Sequence, residues 1–297
     1  MPATLPQIEL ARWVALSLSP QLGGRIFTRL LAHFGTVEAI LAADAAELQT
    51  VRGVGPKLAA AILAIDLSRT QAQLTTWQQD GIAVLARVHP DYPLRLRGDD
   101  GPPVLFLRGT HALPATRGVA LVGTRRPHAA AKRYAQTLAR ALAQAGHWVI
   151  SGLALGIDTA AHQGALDGDG ETLAVLGSGV NVPYPPQNRA LFNTLAERGA
   201  LLSEYHPQAA PSAATLVARN RLISALSTAL VVVETGIEGG SWHTVRFARA
   251  QGVPVFAVQS HAAGNQRLLA EGASPLPPEP LAACARLLKA LSQSPPR

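Results

Sequence analysis

An α/β fold is what this sequence predicts: a parallel sheet with helices on both faces, preceded by a small all-helical domain. Three observations carry that reading. From Gly118 onward a pattern of apolar strand, glycine turn and amphipathic helix repeats, as a series of βαβ units does. Over the first 70 or so residues the apolar positions instead keep a near-helical spacing. The chain is also long, at 297 residues, with 48% apolar and only 15% charged residues, so it can bury a large core and falls outside the disordered and fibrous classes.

Taken in order, Leu10, Trp13, Val14 and Leu16, then Ile26, Leu30, Leu31 and Phe34, mark the first helices, with Gly35 as a stop. Val51-Arg52-Gly53-Val54-Gly55-Pro56-Lys57 fits a helix-hairpin-helix, because two glycines permit a tight turn and proline suits the first turn of the next helix. A degenerate copy lies 32 residues earlier, where Gly23 aligns with Gly55 and Gln21 replaces the first glycine. Such a turn either holds a phosphate on free N–H groups or simply packs two helices. Residues 71–112 read as a connector, with a short strand at 81–85 and an edge strand at 104–107. Strands follow at 119–122, 148–151, 172–176, 200–203, 229–233 and 254–258, and helices near 129–145, 158–166, 187–198, 215–226 and 240–251. After Gly272, Pro275, Pro277, Pro278 and Pro280 suggest a tail, one helix and a disordered end. The expected division is therefore 1–70, 71–112 and 113–297.

The formal charge is +7, and its distribution says more than its size. Between Gly101 and Ile157 stand Arg108, Arg117, Arg125, Arg126, Lys132, Arg133 and Arg140 without one Asp or Glu, which is the footprint of a polyanion-binding surface. The longest apolar runs, such as Ala229 to Val233, are strand-sized and far short of the roughly 20 residues that span a bilayer. Glu9 and Arg12 interrupt the N-terminus where a secretory signal would be apolar, so a cytoplasmic protein is expected. One cysteine, Cys284, makes neither an internal disulfide nor a Cys-based metal cluster.

The chemistry gathers in loops after strands, where ligands bind in open α/β sheets. In Gly123-Thr124-Arg125-Arg126-Pro127 the glycine admits an anion, the threonine offers a hydroxyl and each arginine offers a planar fork for phosphate. No glycine follows Gly123 until Gly146, so the dinucleotide fingerprint is absent and NAD is disfavoured. The loop after the second strand has Gly152 and Gly156, whose amides are expected to face the site, and Asp158 as a helix cap; His162, one turn on, reads as a hydrogen-bonded structural residue. Gly177-Ser178-Gly179, with Tyr184, Asn188 and Arg189 beyond it, forms a third small-residue turn. Arg219-Asn220-Arg221 suits a backbone or base edge, although either arginine could pair with Glu204 or Glu234. Gly239, Gly240 and Ser241 open the last helix with free amides. No nucleophile, base and orienter stand together, so no catalytic residue, cofactor or metal ligand is assigned.

As a set, these loops resemble the DNA-processing protein A (DprA, or Smf) family. The likeness rests on Val122-Gly123-Thr124-Arg125-Arg126, on Ser151-Gly152-Leu153-Ala154 through Gly156-Ile157-Asp158 to His162, on Leu176-Gly177-Ser178-Gly179 with Tyr184-Pro185-Pro186-Gln187-Asn188-Arg189, on Leu201-Leu202-Ser203-Glu204-Tyr205, on Arg219-Asn220-Arg221 and on Val233-Glu234 with Gly240-Ser241. It runs from about Tyr92 to Gly272 and more weakly over the hairpins. It implies an extended Rossmann-like domain behind a helix-hairpin-helix (SAM-like) domain, in a homodimer that binds single-stranded DNA and helps to load the RecA recombinase during natural transformation. The residues then expected at phosphates are Gly123, Thr124, Arg125, Arg126, Gly152, Gly177, Ser178, Gly179, Asn188, Arg189, Arg219, Asn220, Arg221, Gly240 and Ser241. Tyr184 is a candidate stacking platform, and Gly53, Gly55 and Lys57 a secondary DNA contact. Leu155 stands where the family usually has Arg, Val217-Ala218 precede Arg219 where Phe-Pro is common, Gln259-Ser260 replaces a usual Pro-Gly, and a C-terminal winged-helix-like domain is expected to be absent. Two rival readings are a nucleoside-monophosphate phosphoribohydrolase of the lysine-decarboxylase-like (LOG) group and a nucleotide-sensing module. The first keeps its Glu after the glycines, whereas Glu234 precedes Gly239 and Gly240.

Overall fold

A computed structural model describes residues 5–109, 113 and 118–293. The chain forms two compact units, Met1–Leu107 with Glu204–His206, and Arg108–Ser203 with Pro207–Arg297. Residues 71–107, expected as a connector, belong to the first unit. Of the basic run, Arg117 lies outside the described residues.

The first unit contains α1 (Gln7–Ser17), α2 (Gly24–Phe34), α3 (Val37–Ala42), α4 (Ala45–Gln49), α5 (Pro56–Leu63) and α6 (Leu67–Gln79), then β1 (Ile82–Ala86) and the start of β2 (Val104–Gly109). Trp13 stacks on Phe27 at 5.0 Å, joining α1 to α2. The Asp44 carboxylate accepts N–H groups of the first turn of α4 while Glu47 reaches back, a reciprocal cap that starts this five-residue helix. On α6, Trp77 meets Phe106 edge-on at 5.3 Å, which is why the supposed linker is part of a core. The two hairpin turns share one backbone geometry. Gly53 has φ +100 and Gly55 is the extended N-cap of α5; Gln21 has φ +68 and Gly23 is the extended N-cap of α2. Gln21 thus takes the left-handed conformation that glycine takes in the other copy, at a cost of about 1 kcal/mol.

In the second unit the elements are β3 (Gly118–Val122), α7 (Ala129–Gln144), β4 (Trp148–Ser151), α8 (Ile157–Asp167), β5 (Thr172–Val175), α9 (Arg189–Arg198), β6 (Ala200–Ser203), α10 (Ala213–Ala218), α11 (Asn220–Ala225), β7 (Ala229–Val232), α12 (Ser241–Ala250), β8 (Val255–Val258), α13 (Ala263–Ala270), β9 (Ser274–Leu276) and α14 (Pro280–Ser292). Its strands run parallel in the order β6-β5-β4-β3-β7-β8-β9. Val119, Leu121, Val149, Val231, Phe256 and Val258 share one face with buried residues of α7, α8 and α14. The alternate residues face the side where α11 packs on α12 and α12 on β7 and β8. Burial on both faces explains why these strands read as continuous apolar runs.

Two expectations change here. The helix expected over 215–226 is two helices that meet at Arg219, whose carbonyl accepts from Leu222 and Ile223. The segment read as a tail contains β9, preceded by α13, which no expectation covered. Pro275 is tolerated because β9 is the edge strand on β8 and needs only one hydrogen-bonding side. The helix expected near the end is α14, and the end expected to be disordered, 294–297, lies outside the described residues.

Candidate functional site

Strand order reverses between β3 and β7: from β3 the chain moves outward through β4, β5 and β6, then returns to lay β7 on the other side of β3. Loops diverge at such a switch point, and a crevice opens outside the carboxyl ends of the strands. A groove of about 670 Å³ lies there, lined by Gly123, Thr124, Arg125, Arg126, Tyr184, Asn220, Gly240 and Ser241 among others. A smaller, deeper cavity of about 290 Å³ adjoins it, walled by Leu155, Leu176, Gly177, Ser178, Pro185, Pro186 and Leu216. Arg125, Ala154, Tyr184, Leu216 and Arg219 line both.

Arg125 and Arg126 are exposed, and neither forms an ion pair among the described residues. Two unpaired guanidinium groups on a short loop raise the local potential for anions. The N–H groups of Gly177, Ser178, Gly240 and Ser241 meet no acceptor among the described residues, and all four residues line one of the two hollows. Ser241 begins α12, so its amide also stands at the positive end of a helix dipole. Tyr184 is 36% exposed at the junction of the hollows.

Several residues expected at phosphates are otherwise occupied. Arg219 is only 4% exposed; its Nη1 donates to the carbonyl of Gly152 at 2.6 Å and to that of Val175. A Cβ on Gly152 would stand 2.5 Å from that guanidinium, so this glycine makes room for an arginine rather than for an anion. Of the loop amides expected to face the site, that of Gly152 is also spent: Asp158 Oδ2 accepts from Gly152 at 3.1 Å, and from Ala154 at 3.3 Å. Asp158 therefore folds the loop inward, and the N-cap is Gly156. Asn188 is buried and donates to the carbonyl of Leu153 at 2.9 Å and to Thr159 Oγ1 at 2.9 Å. The Ser178 hydroxyl donates to Val182 at 2.9 Å, the Gly179 amide to Ala209 at 2.9 Å and the Ser241 hydroxyl to Thr235 Oγ1 at 2.6 Å. Short polar side chains in tight loops bond locally by preference, which leaves backbone amides as the donors for a ligand. Arg189 is exposed at the start of α9, outside both hollows, and Arg221 is half-buried beside α12, where its carbonyl accepts from Gln251.

Burial dominates the buried titratable groups here. It pushes the Asp158 carboxyl up, against a smaller opposing pull from Arg219, and pushes His162 down to about 3, with Arg219 lowering it further. Glu234, one of two acids with which Arg219 or Arg221 could have paired, instead accepts from the His128 backbone N–H at 3.2 Å and faces His128 Nδ1 at 3.1 Å. Sequence reasoning did not find His128, nor Asn265, which accepts from Thr235 N–H at 2.8 Å and donates to the carbonyls of Val233 and Val258 at 3.0 and 2.9 Å. Both are single polar residues outside any glycine loop. In the first unit, Gln21, Gly53, Gly55 and Lys57 line a shallow hollow of about 570 Å³ at the hairpins. Among the described residues no group of His, Cys, Asp and Glu could hold a metal ion, and no helix is long and apolar enough to cross a membrane.

Fold and groove define a Rossmann-like α/β protein that lacks the dinucleotide fingerprint and carries a tandem of helical hairpins. The family model described as DNA recombination-mediator protein A matches residues 83–282, and that of the SAM-like helix-hairpin-helix tandem matches 18–65. The chain belongs to the DNA recombination-mediator protein A family. It is 36% identical over 256 residues to Protein Smf of Synechocystis sp., covering 84% of this chain and 64% of that protein. With the DNA processing protein DprA of Bacillus subtilis it shares 34% over 207 residues, 67% of this chain and 70% of that one. Against the putative DNA processing protein DprA of Mycobacterium tuberculosis it is 42% identical over 179 residues, 58% of this chain and 46% of that one, so it spans about half to two thirds of these two longer relatives, Smf and the mycobacterial protein. DNA processing protein A from Streptococcus pneumoniae superposes with a TM-score of 0.80 at 27% identity, covering 96% of this chain and 98% of that chain. DNA processing protein A from Helicobacter pylori, described by its single-stranded DNA binding mode, gives 0.64 at 30% identity over 70% of this chain and 96% of that one.

Proposed function

We propose that this protein binds single-stranded DNA as a cytoplasmic homodimer, protects incoming strands and helps to load RecA during natural transformation, acting by binding and not by catalysis. The observation that supports the reading best is the groove at the β3–β7 switch point, which is lined both by two exposed arginines unpaired among the described residues and by the free amides that open α12. A flexible single strand can turn its phosphates toward such donors and lay a base on Tyr184, and neither contact reads sequence. Phosphates are assigned to Arg125, Arg126, Asn220 and the amides of Gly177, Ser178, Gly240 and Ser241, with Arg189 beyond the rim and Gly53, Gly55 and Lys57 as a secondary contact. The relative from Helicobacter pylori, named for single-stranded DNA binding, points the same way. Against a phosphoribohydrolase stands the use made of Glu234, whose two carboxylate oxygens face His128 and so serve the loop between Thr124 and His128.

Fluorescence anisotropy with single-stranded and duplex oligonucleotides across a salt series tests this. The single strand is expected to bind more tightly, with log affinity falling linearly in log salt. Equal affinity for duplex, or binding indifferent to salt, would overturn the assignment. In the same assay Arg125→Ala is expected to weaken binding of every sequence alike and to make the salt slope shallower by roughly 0.7, the share of one single-strand phosphate; a loss confined to some sequences contradicts a backbone contact.

A further inference from the structure

The loop with Arg125 and Arg126 is a short arch, and one residue holds both of its feet. At the first foot, Thr124 N–H donates to the backbone carbonyl of Glu234 at 2.7 Å. At the second, the Glu234 carboxylate takes the His128 N–H on Oε1 at 3.2 Å and faces His128 Nδ1 across 3.1 Å from Oε2. Within the arch, Arg126 N–H donates to Thr124 Oγ1 at 3.2 Å. Glu234 is 9% exposed, whereas the His128 side chain is 87% exposed, so the carboxylate is the fixed member and the histidine is what it grips. His128 is also the N-cap of α7 and makes no side-chain cap of its own. The carboxylate therefore also satisfies an open N–H at the positive end of that helix.

A carboxylate is an unexpected group to keep behind the arginines of a polyanion site, because its charge opposes the ligand. We propose that Glu234 is a positioning residue for strand binding, clamping both ends of the Arg125–Arg126 arch so that the two guanidinium groups are presented in a fixed place. The inference rests on the reading of the groove as a single-strand site. It sets two physical effects against each other with opposite signs. If charge alone matters, removing the carboxylate tightens binding; if the clamp matters, removal loosens it, because the arginines must then be ordered by the ligand.

The test measures single-strand affinity and its salt slope for the native chain, Glu234→Ala, Glu234→Gln, His128→Ala and the Arg125→Ala/Arg126→Ala pair with and without Glu234→Ala, with thermal melting of each. Glu234→Ala is expected to bind about tenfold more weakly, a loss of about 1.4 kcal/mol, and with a salt slope shallower by roughly 0.7 to 1.4 as one or two phosphate contacts go. Glu234→Gln keeps an acceptor for the His128 N–H and is expected to recover most of the affinity. In the double-arginine background Glu234→Ala is expected to cause no further loss, and with only the charge effect left to bind equally or slightly more tightly, which a general effect on folding could not produce. His128→Ala, at an exposed side chain, is expected to lose about threefold in the native background and nothing more when added to Glu234→Ala, in line with the modest net worth of one side-chain hydrogen bond. Should Glu234→Ala fail to fold, Glu234→Gln and His128→Ala decide: native-like affinity in His128→Ala overturns the clamp. Affinity equal to or tighter than native in folded Glu234→Ala, or an undiminished loss without the arginines, overturns it too. A native chain that binds no single strand overturns both the clamp and the function it serves, and so separates the two failures.

Discussion

Arg219→Ala is expected to lower the unfolding free energy by about 3–5 kcal/mol, the usual size when one member of a buried charged cluster is removed. The side chain is almost wholly enclosed, donates to the Gly152 and Val175 carbonyls, and its charge opposes the burial penalty on the Asp158 carboxyl. Alanine removes the donor that Arg219 supplies to two buried carbonyls and the cation that favours the buried acid. The size of the loss should depend on pH in a defined sense. Burial already holds the Asp158 carboxyl above its ordinary range, and Arg219 pulls it back. Without the arginine the folded-state value rises further, and a carboxyl raised in the folded state contributes stability at low pH that is lost as pH rises through that value. The deficit of the variant is therefore largest at neutral pH and smaller near pH 4. Urea unfolding of both proteins at pH 7.5 and pH 4.5 checks this; a loss under about 1 kcal/mol at neutral pH would mean that Arg219 is a surface ligand contact after all.

His162 predicts a second large effect, in acid. Its Nδ1 lies 2.7 Å from Thr172 Oγ1, and that hydroxyl gives its one proton to the carbonyl of Val149 at 2.8 Å. Nδ1 must therefore carry the ring proton, while Nε2 is buried without a partner among the described residues. A proton on Nε2 would place an uncompensated charge in the core, which is why burial, helped by Arg219, pushes the group down to about 3. The unfolded chain takes up a proton near pH 6.5. Stability is therefore fully present above that pH and falls as the solution is acidified toward the folded-state value, by up to about 4–5 kcal/mol at 1.36 kcal/mol per unit. His162→Asn keeps an amide donor for Thr172 and removes the titration. It is expected to be less stable than the native chain at pH 7.5, from lost packing, yet to show a flatter stability profile between pH 6.5 and 4. Parallel profiles in that interval would refute the account.

Much of the architecture could be read from residues alone because buried parallel strands are apolar on both faces and their turns need small residues, as at Gly118–Val122 and Ala229–Val232. Legibility failed where one residue served a distant one. Asp158 was read as a helix cap, because an acid before a helix usually is one, but the carboxylate accepts amides from the preceding loop. Arg219 and Arg221 look alike in sequence, yet the break between α10 and α11 turns Arg219 into the interior. Prolines after Gly272 resembled a tail, since the rule that proline leaves a sheet has its exception at edges. The groove itself was legible in outline, because strand-end loops face it by topology. Which donors remain available was not, because that depends on how each loop satisfies its own polar groups.

Asn265 gives the site a mechanical character. With no exposed surface, it ties the end of β7 to that of β8 and accepts the Thr235 amide beside the loop that leads into α12. Thr235 in turn receives the Ser241 hydroxyl, and Glu234, its neighbour, holds the arch of Arg125. The walls of the groove are thus stitched together before any ligand arrives, and the entropy of arranging them is settled when the chain folds. If single strands bind there as proposed, each has mainly itself to immobilise, so capture is expected to be governed by diffusion and ionic atmosphere, with no slow closing step after contact.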